Sequence, residues 1–145
     1  KNFRSFRSAT LFKPNLKEIK DALGTEIDVR DESSLKQAAT MLHDILDARQ
    51  VMITLSESGV FMSARNNGTF SSVILPAHVR AIADVSGAGD TVVSVAALCT
   101  ALSVEPDTTA WIANLAGGLV CEQVGVVPVD KQKLLAEAKL LVHSS

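Results

Sequence analysis

The run Val79-Arg80-Ala81-Ile82-Ala83-Asp84-Val85-Ser86-Gly87-Ala88-Gly89-Asp90-Thr91 decides how this sequence of 145 residues is read. Val79 to Ala83 reads as a strand, and Thr91 to Leu102 as a helix apolar on most faces; Gly87-Ala88-Gly89 joins them. A glycine turn feeding a helix N-terminus lets backbone N–H groups point at one anion, and the helix dipole adds to the attraction. Asp90 follows at once, a carboxylate in the first turn, within reach of a hydroxyl brought to the same anion. Two blander readings fit these residues. A Gly-Ala-Gly turn with Asp at the helix start is also what simple capping looks like. Gly87-x-Gly89 also begins a dinucleotide fingerprint, but Val92 stands where its third glycine belongs and only Glu105 and Asp107 approach the spacing of its acidic residue.

Upstream, strands and helices alternate. Ala9 to Phe12 reads as a short strand stopped by Lys13-Pro14-Asn15, and Leu16 to Leu23 as a short helix ended by Gly24. Ser34 with Gln37 gives a capping-box pattern, after which Leu35, Ala38, Leu42, Ile45 and Leu46 make one apolar stripe. Val51 to Leu55 is almost wholly apolar, as a strand buried on both faces should be. Val60 to Ala64 and Thr69 to Leu75 flank Arg65-Asn66-Asn67-Gly68, where Asn-Gly favours the positive φ angles of a hairpin turn. Downstream, Asp107 or Thr108 is expected to cap a helix carrying Ile112, Leu115, Leu119 and Val120, with Ala116-Gly117-Gly118 admitting a close neighbour and Gly125 ending it. Asp130 is expected to cap a last helix with Leu134, Leu135, Ala138, Leu141 and Val142.

Such alternation predicts an α/β fold, a mostly parallel sheet between two helical layers with an appended β-hairpin. Ligands of these sheets bind beyond the carboxyl ends of the strands, so the loops at Asn15, Ser56 and Gly87 are expected to share one rim. Composition is that of one ordinary globular core, 47% hydrophobic and 21% charged. A formal charge of -2 offers no basic field for nucleic acid. Cys99 and Cys121 lie in apolar runs without ligand spacing and read as buried reduced thiols. Lys1 to Arg7 lacks the apolar region of a signal peptide, so a cytoplasmic location is expected; Val92 to Leu102 is too short to span a bilayer. His43, His78 and His143 share no spacing and read as surface or packing residues, and Trp111 as core.

The run Asp84 to Asp90 resembles the D-[TV]-[ST]-G-A-G-D signature of the ribokinase-like (PfkB) carbohydrate kinases. Lys13-Pro14-Asn15-x-x-Glu18, Thr54-Leu55-Ser56-x-x-Gly59 and Asn114-x-x-Gly117 resemble further motifs of that family, in its order, so the resemblance covers nearly the whole chain. It implies a ribokinase-like three-layer α/β/α sandwich, with Asp90 as catalytic base and Gly87, Ala88 and Gly89 as an anion hole for phosphoryl charge. It implies ATP and Mg²⁺, with Asn15 reaching the phosphates and Glu18 the hydrated metal; the alternative for that pair is helix capping by Asn15 and a solvated Glu18. Thr54, Ser56 and Gly59 would line the nucleotide, and Asn114 and Gly125 would border the adenine. Ser56 stands where the family usually has glycine, at a conformational cost if its φ is positive. Asp84 and Ser86 match positions whose carbonyls hold a monovalent cation, K⁺, in several members; the alternative is that Asp84 braces the turn.

By the same resemblance, residues 1–145 are the C-terminal, ATP-binding and catalytic portion of a kinase domain whose N-terminal sugar-binding half is absent. Phe12 to Glu18, Asp84-Val85-Ser86 and Val92-Val93-Ser94-Val95 most resemble the heptose-7-phosphate kinases of lipopolysaccharide core synthesis, which are often fused to a nucleotidyltransferase. The expected partner is a small sugar or sugar phosphate, with no nucleic acid and no membrane, and a homodimer is expected of the full-length protein. The alternatives are another sugar or nucleoside kinase of the family, and a nucleotide-binding module without turnover. Asp90 argues against the module, since binding ATP needs no carboxylate beside the transferred phosphate.

Overall fold

Two cores meet across the central strand of a sheet. The computed structural model describes residue 5, residues 7–78 and residues 81–143, with side chains described through residue 140. The reading of Lys1 to Arg7 therefore lies mostly outside the described residues, as do Val79 and Arg80 and the side chain of His143. Within β2 (Gln50–Thr54) successive side chains alternate between faces. Val51 and Ile53 join Phe61 in one core, covered by Ile19 of α1 (Leu16–Leu23) and by Leu35, Leu42 and Leu46 of α2 (Glu32–Leu46). Met52 joins Val60 and Met62 in the other, covered by Val92 and Ala96 of α3 (Ala88–Ala101) and by Ala110 and Ala113 of α4 (Pro106–Cys121). The result is the expected helix–sheet–helix sandwich. Truncating Phe61, which is fully buried, is expected to cost about 3–5 kcal/mol, the usual price of an emptied aromatic site.

Among the described residues the strand order is β1 (Leu11–Phe12), β2, β3 (Val60–Asn66), β4 (Thr69–Leu75). β1 pairs parallel with β2 through the α1–α2 crossover, whereas β2–β3 and β3–β4 are antiparallel. The hairpin turns at Asn67 and Gly68, with φ of 48° and 82°, as its Asn-Gly predicts. Parallel pairing is thus confined to one pair here, and the described sheet is mixed rather than mostly parallel. The strand expected at Val79 to Ala83 is not formed over its described residues 81–83. The amides of Ala83 and Asp84 donate instead to the carbonyl of Cys121, which anchors this segment to the end of α4 rather than to a strand.

The helix boundaries show local chemistry at work. Asp31, not Ser34, caps α2, its carboxylate accepting from the Ser33 amide, while the Ser34 hydroxyl accepts from the Asp28 amide. α4 starts at Pro106 with Glu105 before it and no side-chain cap, so Asp107 and Thr108 lie inside the helix: proline at the first position has no N–H to satisfy. That helix stops at Cys121, ahead of Gly125, where its last carbonyl is taken by Ala83 and Asp84. α5 (Lys131–His143) is capped as expected by Asp130, which accepts from the Gln132 and Lys133 amides. Among the described residues no helix is long and apolar enough to cross a membrane.

Candidate active site

The carboxyl ends of β1 and β2 lie side by side. Pro14 is buried, and its carbonyl accepts from the Thr54 amide over 3.1 Å, while Asn15 and Thr54 form a parallel bridge that prolongs the β1–β2 ladder. Asn15 then caps α1: its side-chain oxygen accepts from the Glu18 amide at 2.8 Å, and the Glu18 carboxylate accepts from the Asn15 amide at 2.9 Å. This capping box holds both residues on the rim and engages one Glu18 oxygen with the backbone. Both stay exposed.

From Thr54 the chain enters a short 3-10 turn, Ser56–Ser58, that ends at Gly59. Ser56 has φ of 54°, the left-handed region in which glycine carries no penalty, so serine holds this turn at a conformational cost. At Gly59, with φ of 100°, an added Cβ would stand 2.0 Å from the Leu75 carbonyl oxygen, so only glycine lets this turn lie against the end of β4.

Thr54, Ser56 and Gly59 form one wall of a cavity of about 430 Å³, whose other walls include Ala88, Gly89, Asn114 and Gly118. Six residues expected to serve nucleotide or phosphoryl group, at 54, 56, 59, 88, 89 and 114, therefore share one space. The packing beneath it depends on the glycine pair of α4. A Cβ on Gly117 would meet Val92 Cγ2 at 2.6 Å, and one on Gly118 would meet the His78 carbonyl oxygen at 1.7 Å. Asn114 is held there by donating its amide to the Pro76 carbonyl over 2.7 Å.

α3 begins at Ala88, behind Gly87 in the left-handed conformation with φ of 77°, and no side chain caps it. Asp90 is thus an exposed first-turn carboxylate that makes no capping hydrogen bond. Val92, at the third-glycine place of a dinucleotide fingerprint, is buried against Gly117. The Ala88 amide donates to the Val85 carbonyl over 3.3 Å, so one member of the expected anion hole is already engaged. Gly89 and Asp90 occupy the positions whose amides an α-helix leaves without a partner of its own.

Asp84 braces the approach to this turn. Its two oxygens accept from the amides of Ser86, at 2.9 Å, and Gly125, at 3.0 Å, and these bonds hold its carboxyl below the ordinary carboxylate range. Gly125 is consequently fixed to Asp84 and is not part of the cavity wall. Cys99 and Cys121 are free and buried, burial raising both thiols, and Cys121 forms part of the cavity wall.

Sequence reasoning gave no role to Lys13. Its ammonium lies 3.8 Å from where a Cβ of Gly89 would stand. Burial lowers its pKa, against the opposing pull of Glu18 and Asp90. The strand alternation through Leu11 and Phe12 was the signal that could have placed it on the α3 side. His78, read as an isolated histidine, also reaches the cavity wall, through the backbone contact at Gly118 that the glycine pair announces.

Among the described residues no cluster of three His, Cys, Asp or Glu is placed to chelate a metal. Glu18 and Asp90 both lie close enough to Lys13 to act on its charge.

Comparison with known proteins agrees with this geometry. Residues 4–133 match the pfkB family carbohydrate kinases. The bifunctional protein HldE of Desulfatibacillum aliphaticivorans is 38% identical over 136 residues, 94% of this chain and 27% of that protein. HldE of Koribacter versatilis is 34% identical over 153 residues, 99% of this chain and 30% of that protein. The chain thus spans between a quarter and a third of the length of these relatives. Among solved structures, phosphofructokinase-2 from Escherichia coli in complex with potassium superposes with a TM-score of 0.82 at 18% identity, over 96% of this chain and 43% of that one. Arabidopsis thaliana ribokinase complexed with ribose and ATP gives 0.73 at 20%, over 87% and 39%. These two likenesses show the ribokinase-like fold.

Proposed function

Because the chain belongs to the pfkB family of carbohydrate kinases, we propose that it is the ATP-binding and catalytic portion of an enzyme phosphorylating a hydroxyl of a sugar or sugar phosphate. The observation that carries this reading is the turn into α3. Ala88 and Gly89, at the start of α3, line the cavity with Thr54, Ser56, Gly59 and Asn114, and Asp90 follows them in the same first turn.

In the proposed reaction ATP supplies the phosphoryl group. Asp90 takes the proton of the acceptor hydroxyl as that oxygen bonds to phosphorus and the bond from phosphorus to the departing ADP oxygen breaks. The amides at the start of α3 meet the charge on the transferred group without reorganising. Glu18 would hold a hydrated Mg²⁺, which would neutralise phosphate charge, Asn15 would fix the rim that bears Glu18, and the carbonyls of Asp84 and Ser86 would receive K⁺.

Heptose 7-phosphate is the acceptor we favour. The runs Phe12 to Glu18, Asp84 to Ser86 and Val92 to Val95 support it, as does the identity to HldE proteins. The word bifunctional in their names fits a longer protein that also carries a nucleotidyltransferase, and we expect that protein to be cytoplasmic and homodimeric. The test is phosphorylation of D-glycero-D-manno-heptose 7-phosphate by the full-length protein with Mg·ATP. Turnover of ribose or fructose 1-phosphate without turnover of the heptose would keep the kinase and discard the heptose.

A further inference from the structure

We propose that β4 is a self-association edge, pairing antiparallel with β4 of a second copy of this chain about a two-fold axis through Ser72. The inference is independent of the kinase reading and assigns a surface to the homodimer expected of the full-length protein.

β4 is the outer strand of the described sheet: β3 pairs with one of its edges, and among the described residues nothing pairs with the other. The Arg65 amide donates to the Arg49 carbonyl, away from β4, so alternation turns the backbone groups of Val60, Met62, Ala64 and Asn66 toward β4. Their partners are Leu75, Val73, Ser71 and Thr69, which leaves the N–H and C=O groups of Phe70, Ser72 and Ile74 directed at the open edge. The side chains of those residues share the α2 face of the sheet, opposite Arg65, Ser63 and Phe61.

Natural edges are blunted by a charge, a proline or a bulge. β4 has none of these: its seven residues carry no charge, its register against β3 is unbroken, and Pro76 comes only after its end. Phe70 and Ile74 are 46% and 38% exposed there. Phe70 is held from within by the His43 ring and the Arg65 guanidinium, each 5.2 Å from its ring centre.

A second copy is the occupant that this strand fits. A two-fold axis at Ser72 sets Phe70 opposite Ile74 of the second copy, Ser72 opposite its own counterpart, and Ser71 opposite Val73 of the second copy. Phe70, Ser72 and Ile74 then stand in hydrogen-bonded pairs that satisfy their outward backbone groups, and the exposed apolar side chains cover one another across the axis. The contact uses the same patch on both copies and closes on itself.

The test uses the full-length protein. Residues of a hydrogen-bonded antiparallel pair have Cα atoms about 5.5 Å apart, within the span of roughly 4.4–6.8 Å that a disulfide bridges. Ser72→Cys oxidised with diamide should therefore run as a dimer on a denaturing gel and return to monomer with reductant. Wild type and Ser71→Cys, whose position faces Val73 and not itself, should stay monomeric on the same gel. Ser72→Lys and Ser72→Glu each place like charges at the axis, so sedimentation should show each alone at half the wild-type mass and their equimolar mixture back at the full mass. A folding defect would not be repaired by mixing. A Ser72→Cys protein that does not cross-link, charged variants that keep the wild-type mass, or halving without recovery in the mixture would overturn the proposal. Failure to cross-link together with hydrogen-exchange protection of the Phe70, Ser72 and Ile74 amides would overturn it in favour of another segment of the longer protein lying on this edge.

Discussion

The backbone N–H of Gly125 donates to Asp84 Oδ2 over 3.0 Å, so the loop after α4 is tied to the loop that leads into α3. The other carboxylate oxygen accepts from Ser86. One side chain therefore sets the approach to the Gly87 turn from two directions, and its bonds favour the ionised form.

Asp84→Asn keeps one acceptor and turns an NH₂ group toward one of the two amides. ATP affinity is expected to fall several-fold, with a smaller change in the thermal midpoint, because only the loop is released. Calorimetric titration beside a melting curve checks this. The folded-state pKa is depressed, so the contribution of Asp84 is present above the ordinary carboxylate value and lost as pH falls through the lowered one. Titration between pH 6 and 8 should leave the tie intact.

Gly59→Ala puts a methyl group 2.0 Å from the Leu75 carbonyl oxygen at a φ of 100°. Backbone strain and overpacking together are expected to cost about 2–5 kcal/mol. Urea unfolding of the variant would read this as a lower midpoint with an unchanged slope. A cost below about 1 kcal/mol would mean that the 56–59 loop moves aside readily.

His43 is fully buried between Ala48 and Ser63. Its Nδ1 donates to the Ala48 carbonyl at 2.8 Å, leaving Nε2 to accept from the Ser63 hydroxyl at 3.0 Å. Burial lowers the pKa, with nearby Arg65 acting in the same direction and the Ala48 bond and Asp44 against it. The unfolded chain thus binds the proton more readily, and stability falls as pH drops below about 6.5. Unfolding of wild type and His43→Gln at pH 7.5 and 5.5 should show the variant losing less stability between the two. Equal losses would show that His43 does not titrate on unfolding in this range.

The sequence was most informative where one residue type alone meets a local demand. Asn67-Gly68 announces the hairpin, Gly117-Gly118 the close packing of α4, and Gly87 to Asp90 the turn at the cavity, because glycine and short polar residues have few other reasons to stand in those patterns. Capping was legible only in part. Ser34 and Gln37 have the spacing of a box, yet Asp31 wins because a carboxylate three residues earlier was free to take the same role. The strand at Val79 to Ala83 was misread over its described part, since apolar content does not reveal that the Ala83 amide is satisfied by a helix end. The amide of Gly125 serves Asp84, a contact across 41 residues that no local pattern encodes. Lys13 was quoted within a motif but not placed, because its approach to Gly89 depends on which face of the sheet α3 occupies.

The role of Asp90 is tested most directly by the turnover number of Asp90→Asn in the full-length protein, with Mg·ATP and heptose 7-phosphate. The proposed general base predicts a kcat lower by about 10²–10⁴-fold, with ATP affinity nearly unchanged. Near-normal turnover in that variant would contradict the assignment of Asp90 as the base.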